Sequence, residues 1–340
     1  MKKSKVTSDR KSNLIFVVLI VIFIVTFMSS FAMGRYDITI ADVLKALASI
    51  ISPNIEVEAA VEKAVINIRL PRIVLACLVG GCLGVSGCTY QTIFHNPMAS
   101  PDILGASQGA CFGAAWGILL NLSSAGVVAC AFLFSLSTIG LVYLINLFTK
   151  DKSIINLLLA GIVVGALFSA AISYIKLVAD PNNQLPQITY WLMGSLAGAK
   201  SKEVLFALIA ILIGLIPIML LRWRLNLLTC PDEEAMAMGV DIKRLRFIAI
   251  LCATLLTATC VSFSGMIGWV GLAVPHFCRF LVGNNLKKLI PTTLVVGANF
   301  LLIIDNISRN MLSTEIPIGI LTAFIGAPLF VLMLIRGERR

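Results

Sequence analysis

Between Asp102 and Lys150 the chain runs for 47 residues without a charged side chain, and residues 247–278 form a second such run of 32. About 20 apolar residues carry a helix across a hydrocarbon core of roughly 30 Å, because each residue adds about 1.5 Å. Runs of this length suit a bilayer better than a soluble core. The whole sequence agrees, with 59% of its 340 residues apolar and 13% charged, against about 45–50% and 25% in ordinary globular domains. A soluble enzyme, a secreted disulfide scaffold and a disordered tail are excluded. The chain reads as an all-α polytopic membrane protein forming a single domain over 1–340.

Ten transmembrane helices are expected. The basic start MKKSKVTSDRK is followed by a first span at 14–34, too long for a cleaved signal segment. Residues 35–68 carry Asp37, Asp42, Glu56, Glu58 and Glu62 and read as a polar excursion. Further spans fall near 70–90, 103–120, 123–148, 153–177, 203–221, 245–263, 266–282, 289–309 and 316–335. The turn at 121–126 divides the long uncharged run. With ten spans both termini share a side, which collects seventeen of the 27 basic residues against eight opposite. Lysine and arginine accumulate in cytoplasmic loops, so both termini are expected to be cytoplasmic. The net charge of +10 therefore records orientation, and no nucleic-acid partner is expected.

Small residues recur within the spans. Gly80, Gly81, Gly84 and Gly87 cluster in one, and Gly105, Gly109, Gly113 and Gly117 line one face of the next. Such faces let another backbone approach closely, which predicts a compact Gly-rich bundle. Eight of the nine cysteines lie in apolar stretches and read as small packing residues. With no C-x-x-C pair and two histidines, His95 and His276, no metal site is expected in the chain. His276 follows Pro275 and is expected to bond a carbonyl that the proline frees.

Ionisable groups inside a membrane are expensive and mark function by default. Asp305 is the one acid within an expected span, and Arg309 follows it on the same helix face. No proton relay is visible, so the energy for any transport should enter from outside the bundle. The stretch 222–246 offers an entry point. Its centre reads as a short helix, with Pro231 in the first turn, acids at the positive dipole end and Gly239 as the stop. Met236 and Met238 make it a plausible knob for a partner's groove, although a helix that only closes the loop fits the same pattern.

Several motifs stand in a recognisable order. Arg69-Leu70-Pro71-Arg72 precedes LVGGCLGVSG, Gln91 and the segment His95 to Gly105. SGMIGWVGLAVPHFCRFLVG (264–283) and EIPIGILTAFIGAPLFVLML (315–334) follow. From residue 65 onward the chain resembles the iron-siderophore and cobalamin permease family of bacterial ABC importers. The resemblance implies a subunit in the bacterial or archaeal cytoplasmic membrane, surrounded by lipid and paired with a second permease subunit as homodimer or heterodimer. Two cytoplasmic ATPase subunits would hold the ATP and Mg, leaving no cofactor in this chain, and an extracytoplasmic binding protein would deliver a ferric siderophore. Cobalamin or haem is the alternative cargo within the family.

By the same resemblance Asp232, Glu233, Glu234, Ala235, Met236, Ala237, Met238, Gly239 and Val240 would form the cytoplasmic coupling helix that docks on the ATPase. Arg69, Arg72 and Arg309 would stand on the outer side and accept acids of the binding protein, with Asp305 orienting Arg309. Asn96 and Pro97, with Ser153, Ile154, Ile155 and Asn156, would form the inner gate. The chain itself would catalyse no covalent step, and it lacks a G-x-x-x-x-G-K-[ST] nucleotide loop. A secondary transporter driven by an ion gradient is the rival reading. It would have to use Asp305.

Overall fold

The computed structural model describes residues 2–34, 36, 38–50, 52, 56–149, 154–230 and 232–337. No strand occurs among them. The first helix, α1 (Lys2–Ala32), begins well before the expected span, so its polar start prolongs the same helix. The polar excursion is largely helical. In α2 (Ile40–Ser49) the Thr39 hydroxyl caps the Asp42 N–H, and Val43 and Ala46 are buried. A short α3 (Ala59–Glu62) winds through a π-helical stretch (Lys63–Arg69) into α4 (Leu70–Ile93). Residues 59–93 thus form one 35-residue helix. At about 1.5 Å per residue it is about 52 Å long, more than a hydrocarbon core needs. The charged π-helical end can therefore stand beyond the apolar layer.

Nearly every residue of α4 is buried, as expected for a helix with no polar face. It packs against α11 (Ile242–Ser264), α12 (Val270–Val282) and α13 (Leu286–Asn310). A second group comprises α5 (Ala106–Leu119), α6 (Ser124–Phe148) and α7 (Ile154–Val178), and α11 joins both groups. The α5 glycine face lies on α6, where a Cβ at Gly113 would come 2.3 Å from the Cys130 carbonyl oxygen. The remaining helices are α8 (Gln184–Leu192), α9 (Ser201–Leu221), α10 (Asp232–Ala237) and α14 (Ile318–Gly337).

Among the described residues seven helices are long and apolar enough to cross a membrane, and Val270–Val282 and Ile318–Leu332 are shorter apolar helices. Two expected spans begin later than the hydropathy indicates. The one placed at 103–120 opens with a 3-10 turn (Pro101–Leu104) and a left-handed Gly105, and its α-helix is only 14 residues long. The one placed at 266–282 starts at Val270, after positive-φ Gly265 and Trp269 interrupt the chain. Apolar composition persists through both interruptions, so hydropathy alone could not register them. Non-helical backbone at such depth is tolerated where protein buries it.

Side-chain bonds sort the helix termini into two ends of the bundle. At one, Arg72 at the start of α4 meets Asp305 near the end of α13. At the other, His95 just past α4 meets the carbonyl of Leu228, in the 3-10 turn Arg224–Thr229 before α10.

Candidate functional site

The short helix expected after Pro231 is present as α10, while Pro231 itself lies outside the described residues. Gly239 stops it at φ 78°, donating its N–H to the Met236 carbonyl at 2.9 Å. Ala235 is fully buried and pins the helix to the bundle. Met236 and Met238 remain 55% and 54% exposed, Glu233, Glu234 and Ala237 are also exposed, and Val240 is half-buried. An anchored helix thus presents two flexible apolar side chains to whatever lies beyond the bundle.

The turn preceding α10 is tied to two spans. His95, at φ 48°, bonds the Leu228 carbonyl through Nε2. Asn226 accepts the Leu286 N–H at 2.9 Å, and its amide nitrogen lies 3.4 Å from the Asn285 side-chain oxygen at the start of α13. Buried Leu225 and Leu228 fill the space beneath. A displacement of α10 would therefore be passed to the ends of α4 and α13. The residues His95 and Asn226 lie inside the stretches singled out by sequence, which gave neither a role.

Asn96 and Pro97 follow His95 and are exposed, with the Asn96 side chain accepting the Met98 N–H at 2.9 Å. Ile154, Ile155 and Asn156 open α7 at the same end, and Ser153 lies outside the described residues. The two segments meet further along than those residues. There a Cβ on Gly161 would come 2.5 Å from the Ile103 carbonyl oxygen, and one on Gly105 3.1 Å from Gly165 N.

At the opposite end the three arginines that the resemblance assigns to docking are buried and bonded within the chain. Arg69, Arg72 and Arg309 are 6%, 6% and 7% exposed. Arg69 donates to the carbonyls of Phe31 and, at 2.5 Å, Tyr36. Arg309 reaches the Met33 and Ser30 carbonyls at 3.3 and 3.5 Å and the side chain of Asn306. Both guanidiniums thus cap the C-terminal end of α1, where carbonyls lack helical partners and the dipole favours cations. Arg72 donates to Asp305 Oδ1 and Glu315 Oε1, each at 2.8 Å, while Asp305 Oδ2 lies 3.1 Å from Arg309 Nε. Asp305 is fully buried between two cations and joins α4 to α13. The pair Asp305–Arg309 is legible from its four-residue spacing. The partners Arg72 and Glu315, hundreds of positions apart, are not.

One further expectation is corrected at Pro275. The carbonyl freed four residues earlier belongs to Gly271, and Gln91 of α4 approaches it with Nε2 at 3.5 Å while accepting from Arg279. His276 makes neither bond. Both its ring nitrogens lack a partner, and the ring packs edge-on against Phe280 and Phe330.

A tightly packed apolar helical bundle, charged only at its ends and carrying an anchored exposed helix at one of them, is the architecture of a membrane transport subunit. Residues 21–336 match the model of the FecCD transport family, and the chain belongs to that family. It is 37% identical over 321 residues to a molybdate import system permease of Haemophilus influenzae, covering 94% of this chain and 95% of that one. It is 39% identical over 274 residues to a probable iron chelatin transport system permease of Helicobacter pylori, covering 80% and 82%. A solved structure described as an inward-facing metal-chelate type ABC transporter superposes with a TM-score of 0.87 at 36% identity, covering 95% of this chain and 99% of that one.

Proposed function

We propose that this chain is the membrane-spanning subunit of an ATP-driven importer that carries a metal chelate, a ferric siderophore first among them, into the cytoplasm. The observation carrying this reading is the exposed α10, anchored by Ala235 and tied through His95 and Asn226 to α4 and α13. That geometry suits a lever worked by a separate ATPase. Ten spans place α10 and both termini in the cytoplasm and the Arg72 end outside. In this reading the shorter α5, α12 and α14 would join the seven long helices as spans. Transport by alternating access would then be mostly rigid-body rocking of spans that α10 drives. The exposed apolar side chains along α7, such as Ile155, Ile162 and Leu167, suit contact with a second permease subunit.

Asp305 supports this reading over an ion-gradient carrier, because two guanidiniums already occupy its carboxylate. Molybdate is a second reading of the cargo, favoured by the near full-length likeness to a molybdate-named permease. Reconstitution with a partner ATPase tests both. ATP-dependent accumulation of a radiolabelled ferric siderophore is the expected result, and accumulation of molybdate instead would select the second reading. Uptake driven by a proton or sodium gradient without ATP would refute the proposal.

The Arg72 end would receive the binding protein, whose acids must then reach buried guanidiniums. Glu315, whose side chain is 30% exposed, is the more accessible of the two carboxylates on Arg72. Glu315→Gln weakens that internal competitor, so docking should tighten and become more salt-sensitive. Surface plasmon resonance at two salt concentrations measures this. Weaker docking by Glu315→Gln would show the carboxylate to be part of the receiving surface and not a competitor.

A further inference from the structure

Beside α11 the first turns of α6 and α9 flank a furrow of about 720 Å³. From α6 it is lined by Ala125, Val128, Ala129 and Phe132, whose spacing puts them on one helical face. From α9 it is lined by Phe206 and Ala210, with Phe263 of α11 beside them. These walls are wholly apolar. The polar lining, Lys200, Ser201, Lys202 and Glu203, is gathered at one end, where α9 begins.

A second, polar cavity of about 760 Å³ adjoins that end and shares Val128, Glu203 and Phe263 with the furrow. Its lining includes Asn121, Gln187, Tyr190, Ser195, Ser262 and Ser264. The pair is therefore one amphipathic space, with an apolar slot, a cationic waist and a hydroxyl- and amide-rich chamber. At the waist Lys200 stands 3.9 Å from Glu203, which leaves Lys202 as the surplus positive charge.

We propose that this space is a binding site for one anionic phospholipid of the surrounding membrane, of the phosphatidylglycerol type. Its acyl chain lies in the furrow between α6 and α9, and its phosphate meets Lys200 and Lys202. The glycerol hydroxyls of its headgroup enter the polar chamber. Charge decides the choice of lipid. A zwitterionic headgroup has no net charge for the surplus lysine to attract, whereas each basic residue near an anionic headgroup is worth about fivefold in binding. Small Ala125 and Ala129 are what keep the slot open, and a larger side chain there would occupy the chain's place. The site needs neither the ATPase nor the cargo, so it goes beyond the transport reading and stands apart from it.

The test uses the full chain with its accompanying subunits, reconstituted in an equimolar mixture of phosphatidylglycerol and phosphatidylethanolamine. It is then extracted in mild detergent, and the retained lipid is identified by mass spectrometry. Phosphatidylglycerol should be retained about fivefold over phosphatidylethanolamine. Lys200→Gln with Lys202→Gln, both on exposed side chains, should bring the ratio to that of the mixture. Ala129→Trp should lower the total retained while leaving the protein's thermal midpoint unchanged. Retention of both lipids in the mixture's ratio by the unaltered protein would overturn the proposal. So would a preference that survives loss of both lysines, or a furrow filled by a helix of another subunit in the assembled transporter.

Discussion

Asp305→Ala is expected to destabilise the protein by about 3–5 kcal/mol, the usual result of removing one partner from a buried ion pair. The carboxylate is fully buried and faces Arg72 at 2.8 Å and Arg309 at 3.1 Å. Its loss leaves two guanidiniums close together, with Glu315 as the remaining acid on Arg72. Arg309 would also lose the group that holds it against the end of α1, so α1 and α13 should loosen together. Thermal unfolding in detergent measures the effect. Arg72→Met combined with Asp305→Leu should cost less than the two single changes added, because neither member of that pair is left buried without the other, and only Arg309 still loses its acid. A midpoint for Asp305→Ala equal to that of the unaltered protein would remove the cluster from the account of the fold.

Gly87→Leu is expected to abolish accumulation of folded protein. A Cβ at Gly87 would lie 1.8 Å from the Gly271 carbonyl oxygen and 2.6 Å from its carbon, both backbone atoms. No rotamer relieves that contact, so α4 must move away from α12. The approach of Gln91 to the same carbonyl, and its bond with Arg279, would be lost as well. Even Gly87→Ala should exceed the 1–3 kcal/mol typical of an overpacked core. Gly140 in α6 is the control. Nothing lies within 4 Å of its Cβ position, so Gly140→Ala should be neutral or stabilising by up to about 1 kcal/mol. Equal effects at the two positions would show that close backbone contact is not what holds α4.

Much of this was legible in the residues. The charge-free runs gave the membrane class, because absence of charge over 20 residues has few other physical causes. The glycine face of α5 and the short helix α10, stopped at Gly239, could be read because local chemistry dictates both. What stayed hidden depends on distant partners. Gln91 takes the role expected of His276 because α4 passes beside Gly271, which no spacing within 264–283 reveals. The resemblance places three arginines on the outer side, but it does not reveal that the end of α1 and the acids Asp305 and Glu315 enclose them. Interruptions at Gly105 and Trp269 escaped hydropathy because the residues around them stay apolar while the backbone leaves the helix.

Energy for transport is proposed to enter through α10 from a separate ATPase. Met236→Arg is the decisive variant, because this side chain is 55% exposed and its replacement should leave the bundle intact. The measurement is co-purification of the ATPase together with ATP-driven uptake in the same reconstituted vesicles. Loss of ATPase association and of uptake, with an unchanged thermal midpoint for the chain, is the predicted result. Full association and full uptake in Met236→Arg would contradict it.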